Sequence, residues 1–200
     1  MYSHYKKIID HIFALIIIFL ISPFLLIISL AILLTMGKPI IFSQTRSGFK
    51  GKSFILYKFR TMLIKKDSKG KLVSDTERRC KFGDFLRRYS IDELPELINI
   101  IKGEMSFVGP RPLLIEYMPL YKDYQLFRFN VKPGLTGWAQ INGRNLLSWE
   151  QKFKLDIWYV ENISLFLDFF ILIKTIKQII FPSGIDSTSN NTMPFFDGDN

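Results

Sequence analysis

From Ile12 to Leu34 the chain runs for 23 residues without a charged side chain. Coiled as a helix, a run of that length covers a hydrocarbon core of about 30 Å. Nothing else in the sequence restricts the fold as much, because such a segment must be buried in protein or dissolved in lipid. Its length, and the lack of a small-residue cleavage site after it, argue against a removable leader. Ser22-Pro23 interrupts the run at its middle. Proline has no N–H to offer the carbonyl of Phe19, and its ring crowds that carbonyl. A kink is expected there, with the Ser22 hydroxyl able to re-satisfy the freed backbone. Lys6 and Lys7 precede the run, and Lys38, Arg46, Lys50 and Lys52 follow it. Basic flanks stay on the cytosolic side, so charge at both ends favours a re-entrant helix that enters and leaves one leaflet. A kinked helix that crosses the bilayer is the competing reading.

The placement of charge says more than its total of +9. Residues 1–74 carry 12 Lys or Arg against two acids, whereas residues 75–200 carry 15 basic and 16 acidic side chains. The excess lies beside the apolar segment, which points to an anionic membrane surface or to phosphate ligands. No RNA-binding aromatic signature, zinc-finger spacing or basic zipper is present, so nucleic acid is not an expected partner. Cys80 is the only cysteine, and His4 and His11 form no ligand cluster with it. A disulfide framework and a thiolate metal site within the chain are both excluded.

Beyond the apolar run, residues 39–62 read as two strands joined by a Gly-containing turn between Arg46 and Gly51. Strand alternation puts Lys58 and Arg60 on one face, where they line an anion site or simply face solvent. "FGDFLRRYS" has helical spacing and ends on Arg87 and Arg88. In "YSIDELPELINIIKGEM" the adjacent carboxylates Asp92 and Glu93 open a second helix that should stop near Gly103. Ser90 and Glu93 match the S-x-x-E capping box, so these acids serve the helix start, chemistry, or both. Arg111 sits between Pro110 and Pro112. Restricted backbone on both sides lowers the entropy such an arginine loses on clamping a phosphate. "VKPGLTGWAQINGRN" is rich in Gly and reads as a ligand loop that offers backbone N–H groups together with Gln140, Arg144 and Asn145. Residues 148–160 and 163–181 read as helices lying at a membrane interface with lysines snorkelling, against a buried core as the alternative. A loop-like tail follows.

Taken in order, "LYKFRTM", "FLRRYSIDELPELINIIKGEMSFVGPRPLL" and "VKPGLTGWAQINGRN" resemble the bacterial sugar transferase family, the small monotopic polyprenyl-phosphate glycosyl-1-phosphate transferases. Arg60, where lysine is usual in the small members, and Tyr89, in place of a small residue, depart from that pattern. The resemblance implies an α+β fold with an N-terminal re-entrant membrane helix, a small β-hairpin and a mainly helical cytosolic domain with interfacial amphipathic helices. The divisions expected are a re-entrant helix over 1–36, a catalytic domain over 37–183 and a tail over 184–200. It further implies transfer of a sugar-1-phosphate from a UDP-sugar to undecaprenyl phosphate at the cytosolic face of the bacterial inner membrane, with release of UMP.

In that family the Asp of the Asp-Glu pair is the nucleophile and Mg²⁺ assists. Carried over, Asp92 forms an aspartyl phosphosugar, and Glu93 is a metal ligand, base or capping residue beside it. Lys58, Arg60, Arg87, Arg88 and Arg111 would hold phosphates, and Gln140 and Arg144 the nucleotide. Neither the sugar nor the oligomeric state is specified by these residues. The reading from another class is a non-enzymatic, membrane-anchored module that binds anionic lipid through its basic N-terminal half. Carboxylates set among the cations argue against it.

Overall fold

The structure, a computed structural model, describes residues 2–143, 146–181 and 194–198, with side chains from Tyr5 onward. Arg144 and Asn145 lie outside the described residues. Helix α1 covers Tyr2–Met36 and continues through Pro23. The Ser22 hydroxyl donates to the carbonyl of Phe19 at 2.8 Å, taking up the acceptor that proline leaves without its usual donor. The helix runs on through Ser22-Pro23, and the hydroxyl fills the place expected for it from the sequence.

The expected hairpin follows as β1 (Ile41–Ser47) and β2 (Ser53–Phe59), antiparallel, with Ile41 opposite Phe59 and Ser47 opposite Ser53. A short helix α2 (Asp75–Arg78) leads into α3 (Lys81–Arg88). A 3-10 turn at Ile91–Glu93 then precedes α4 (Glu96–Ile101). Gly103 ends this run at φ +79°, with its N–H bonded to the carbonyl of Ile100.

Strand β3 (Ser106–Val108) pairs in parallel with β4 (Gly134–Thr136). Strands this short carry too little alternation to be read from sequence. The pairing also reassigns the glycines of the expected ligand loop. A Cβ on Gly134 would lie 2.1 Å from the backbone nitrogen of Gly109, and one on Gly137 would lie 2.1 Å from the oxygen of Gly109. These glycines let two backbone segments touch, and the Gly134 N–H is already bonded to the carbonyl of Pro110. Helices α5 (Trp138–Ile141), α6 (Trp149–Glu161) and α7 (Leu165–Ile180) complete the chain. The C-terminal segment docks at Phe196, buried with Tyr117, Trp149 and Phe153.

Helix α1 lies along the rest of the protein at three stations. Near its start, Lys6 Nζ is 2.5 Å from Asp168 of α7, and the Ser106 hydroxyl donates to Asp10 at 2.6 Å. At its middle, Ala14 packs with Phe54, Leu56, Leu97, Ile100 and Met105. Towards its end, Ile28 and Ile32 pack with Phe59 and Leu86. The opposite face is apolar and exposed, as at Phe19, Leu26 and Leu34. A water-exposed stripe of that size has no counterpart on ordinary soluble domains.

Candidate active site

Asp92 and Glu93 fall on the 3-10 turn between α3 and α4, at the mouth of a cleft of roughly 1440 Å³. The capping box does not form. Ser90 is in the left-handed region at φ 54° and its side chain makes no cap hydrogen bond. Glu93 turns instead to two cations through one oxygen: Lys58 Nζ lies 2.7 Å and an Arg111 Nη 2.8 Å from its Oε1. Both cations reach it because β2 runs beside the turn and because the Pro110-Arg111-Pro112 segment leaves the end of β3 towards it. These charges outweigh burial and hold the Glu93 carboxyl well below the usual range, and Glu93 in turn keeps Arg111 firmly protonated.

Asp92 is in the opposite condition. Among the described residues no hydrogen bond or ion pair reaches its carboxylate. Burial and the neighbouring Glu93 push it up to about 6, against the pull of Lys58, Arg111 and Arg87. Glu96, one turn on, is buried and pushed up to about 7 by desolvation and by Glu93, with Lys58 Nζ 3.1 Å away. One turn of chain therefore presents an unengaged carboxylate, Asp92, followed by a clamped one, Glu93, and by one whose burial favours its protonated form, Glu96.

Of the other expected phosphate cations, Arg87 lines the cleft and is held by the Thr61 hydroxyl at 2.9 Å. Arg88 also lines it, exposed, with its guanidinium 5.9 Å from the ring of Tyr89. Arg60 is placed elsewhere. Its guanidinium donates to the carbonyls of Met36, Gly37 and Lys38, where it caps the end of α1, and it does not line the cleft. The last turn of a helix leaves carbonyls unpaired, and a buried guanidinium with five donors satisfies several at once. Gln140 lines the cleft with both polar atoms of its side chain buried and, among the described residues, unpaired. Arg144 cannot be placed, since it lies outside the described residues.

Several cleft residues carry no local signal in the sequence. Arg128 is fully buried, donates twice to Asp156 Oδ2 of α6 at 2.8 and 3.1 Å, and donates to the carbonyl of Arg111 at 2.7 Å. It fixes the backbone that carries the Arg111 side chain. Lys152 is pushed down to about 8 by burial and by Arg111. Among the described residues the lining holds nine cationic side chains and four carboxylates, an excess that suits a multiply charged anion.

Among the described residues no three His, Cys, Asp or Glu side chains converge as a metal cage. Mg²⁺ needs no such cage when substrate phosphates complete its shell, since one or two carboxylates suffice. The unengaged Asp92 carboxylate and its neighbour Glu93, bonded through one oxygen, fit that mode. A carboxylate free to react, flanked by cations and able to share a divalent ion with phosphates, is equipped for phosphoryl transfer.

Known proteins with similar sequences identify the family. An uncharacterized sugar transferase, EpsL of Bacillus subtilis (strain 168), is 54% identical over 165 residues, 82% of each chain. The exopolysaccharide production protein ExoY of Rhizobium meliloti (strain 1021) is 37% identical over 197 residues, 90% of this chain and 87% of that one. The UDP-glucose:undecaprenyl-phosphate glucose-1-phosphate transferase of Escherichia coli (strain K12) is 41% identical over 182 residues. That match takes in 86% of this chain but only 39% of the larger enzyme. With residues 1–182 matching the family as a whole, the chain belongs to the bacterial sugar transferases.

Proposed function

We propose that this sugar transferase moves a sugar-1-phosphate from a UDP-sugar to undecaprenyl phosphate and releases UMP, by way of a covalent aspartyl phosphosugar on Asp92. The observation that carries the proposal is the Asp92 carboxylate, bonded to no described group and surrounded by cations while Glu93 occupies two of them. The similarity to an enzyme named for glucose-1-phosphate transfer to undecaprenyl phosphate supports the same reaction class.

An Asp92 oxygen attacks the β-phosphorus of the donor. The bond from that phosphorus to the bridging oxygen breaks, and UMP leaves with the electron pair. A phosphate oxygen of the lipid then attacks the same phosphorus, the Asp92–phosphorus bond breaks, and undecaprenyl diphosphate-sugar forms as the carboxylate is restored. With its pKa near 6, Asp92 is a better nucleophile than an ordinary aspartate and is still mostly ionised at neutral pH. Glu93 holds the Lys58 and Arg111 side chains together beside Asp92, where they can meet the donor phosphates. Mg²⁺, held by Asp92 and Glu93 with substrate phosphates, would offset charge on the reacting phosphates. Arg87 and Arg88 extend the positive field, and the unpaired Gln140 amide is suited to the nucleotide.

The enzyme is placed at the cytosolic face of the inner membrane, with α1 re-entrant in one leaflet. Both ends of α1 are tied to the same polar body, through Lys6–Asp168 at one and Arg60 at the other, which supports this placement. A helix crossing to the far side would separate those ends by a hydrocarbon core of about 30 Å.

A screen of UMP release across UDP-sugars, with the enzyme in vesicles containing undecaprenyl phosphate, tests the reaction. At least one donor should give UMP, and Asp92→Asn should give none while remaining folded and vesicle-bound. Full turnover by Asp92→Asn would refute the covalent route.

A further inference from the structure

The cleft has two chemically distinct parts. Away from Asp92 its lining turns apolar, through Phe107, Leu135, Ala139, Leu172, Ile176 and Ile179. Three of these lie on α7 at spacings of four and three residues, which makes one stripe on that helix. The Thr136 and Thr175 hydroxyls, 2.7 Å apart, join β4 to α7 along this wall. Ile176 is 57% exposed and also belongs to an outward apolar face of α7 with Phe169, Ile173 and Ile180. The apolar part of the cleft is therefore continuous with the surface that would meet lipid, and its other end is the cationic mouth.

We infer that this part of the cleft is the binding groove for the first isoprene units of the lipid acceptor, entered from the membrane along α7. The inference rests on the proposed reaction for the identity of the acceptor. An occupant must carry concentrated negative charge at one end, for the mouth, and a long apolar chain at the other, for the wall. A UDP-sugar lacks the second feature. A polyprenyl phosphate has both, and its single chain can follow one helix stripe out to the bilayer. Burying apolar chain here would position the phosphate for attack, so the groove converts binding energy into orientation.

Two measurements test this on the full chain in vesicles. In the first, a polyprenyl phosphate bearing a photoreactive diazirine in its second isoprene unit is crosslinked and the labelled peptides are mapped. Label is expected on α7 between Leu172 and Ile179 or at Leu135, lost on adding undecaprenyl phosphate and retained with phosphatidic acid. Label confined to the exposed face of α1, or equal loss with phosphatidic acid, overturns the groove. In the second, Ile176→Gln is compared with Ile173→Gln, which lies on the outward face but does not line the cleft. Ile176→Gln should raise KM for undecaprenyl phosphate roughly tenfold, the loss expected from one apolar side chain contact. Its KM for the UDP-sugar should not change, and Ile173→Gln should match wild type at equal vesicle binding. Equal effects of the two substitutions, or a rise in KM for the UDP-sugar as large as that for undecaprenyl phosphate, overturn the inference. Specific labelling of α7 without UMP release would count against the reaction and for the groove; UMP release with label elsewhere would do the reverse.

Discussion

At Asp92, burial among cations has two consequences that separate chemistry from helix capping. Its raised pKa, near 6, and that of Glu96, near 7, mean that the folded protein binds extra protons from about pH 4 to 7. Both groups lend stability at the acid end of that window and lose it as pH rises through their folded values. Glu93, held low by Lys58 and Arg111, acts in the opposite sense, and its contribution fades only at pH below about 4.5. With metal chelated by EDTA, Asp92→Asn should therefore be more stable than wild type at pH 7, by about 1–3 kcal/mol. The gap should close towards pH 5, and thermal melts across that range check it. Ser90 gives the complementary prediction. Because its side chain caps nothing, Ser90→Ala should change stability by no more than about 0.5 kcal/mol in urea unfolding, where loss of a working cap would cost ~0.5–2 kcal/mol. Arg60→Met should lower stability by about 1–3 kcal/mol, since three carbonyls at the end of α1 lose their donor, and leave KM for the UDP-sugar unchanged. Asp92, Glu93 and Arg111 were legible because they stand in motifs. Arg60 was misplaced because strand alternation fixes which side of the hairpin a residue faces, but not which distant carbonyls come to meet it.

The elements that build the cleft are held by long-range pairs rather than by their own lengths. The Arg128–Asp156 pair joins the 3-10 segment Asp123–Asn130 to α6 and, through the Arg111 carbonyl, to the segment leaving β3. Breaking a buried pair from one side leaves a charge uncompensated. Asp156→Asn should destabilise the protein by about 3–5 kcal/mol in thermal unfolding. Below its melting temperature it should also lose kcat/KM for the donor by roughly tenfold, as Arg111 loses its fixed backbone. The helices and the hairpin follow from periodicity, turn glycines and caps, all local properties. The parallel pairing of β3 with β4 does not, because each strand has three residues and their partners are 28 residues apart. Glycines at 134 and 137 looked like ligand-loop residues for the same reason: their need for close contact with Gly109 appears only when the two segments are adjacent.

Across the whole molecule, α1 and α7 expose apolar faces while their buried sides share the Lys6–Asp168 contact. If α1 returns to its own leaflet, its two ends stay on one side of the membrane. Cysteines placed at Lys7 and Lys38 in a Cys80→Ser background should both escape an impermeant maleimide added outside intact cells, and both react after lysis. Labelling of one site alone from outside would mean that the helix crosses. The sequence by itself determined the apolar helix, its Ser-Pro position, the hairpin and the adjacent carboxylates Asp92 and Glu93, because each depends on neighbours within a few residues. Only the tertiary structure decided that Glu93 binds cations and not the backbone, that Arg60 closes α1, and that Arg128 and Asp156 support Arg111. Those outcomes turn on which unpaired donors and acceptors meet across the fold, and the electrostatic cost of leaving a buried one unmatched selects among arrangements that the local sequence permits equally.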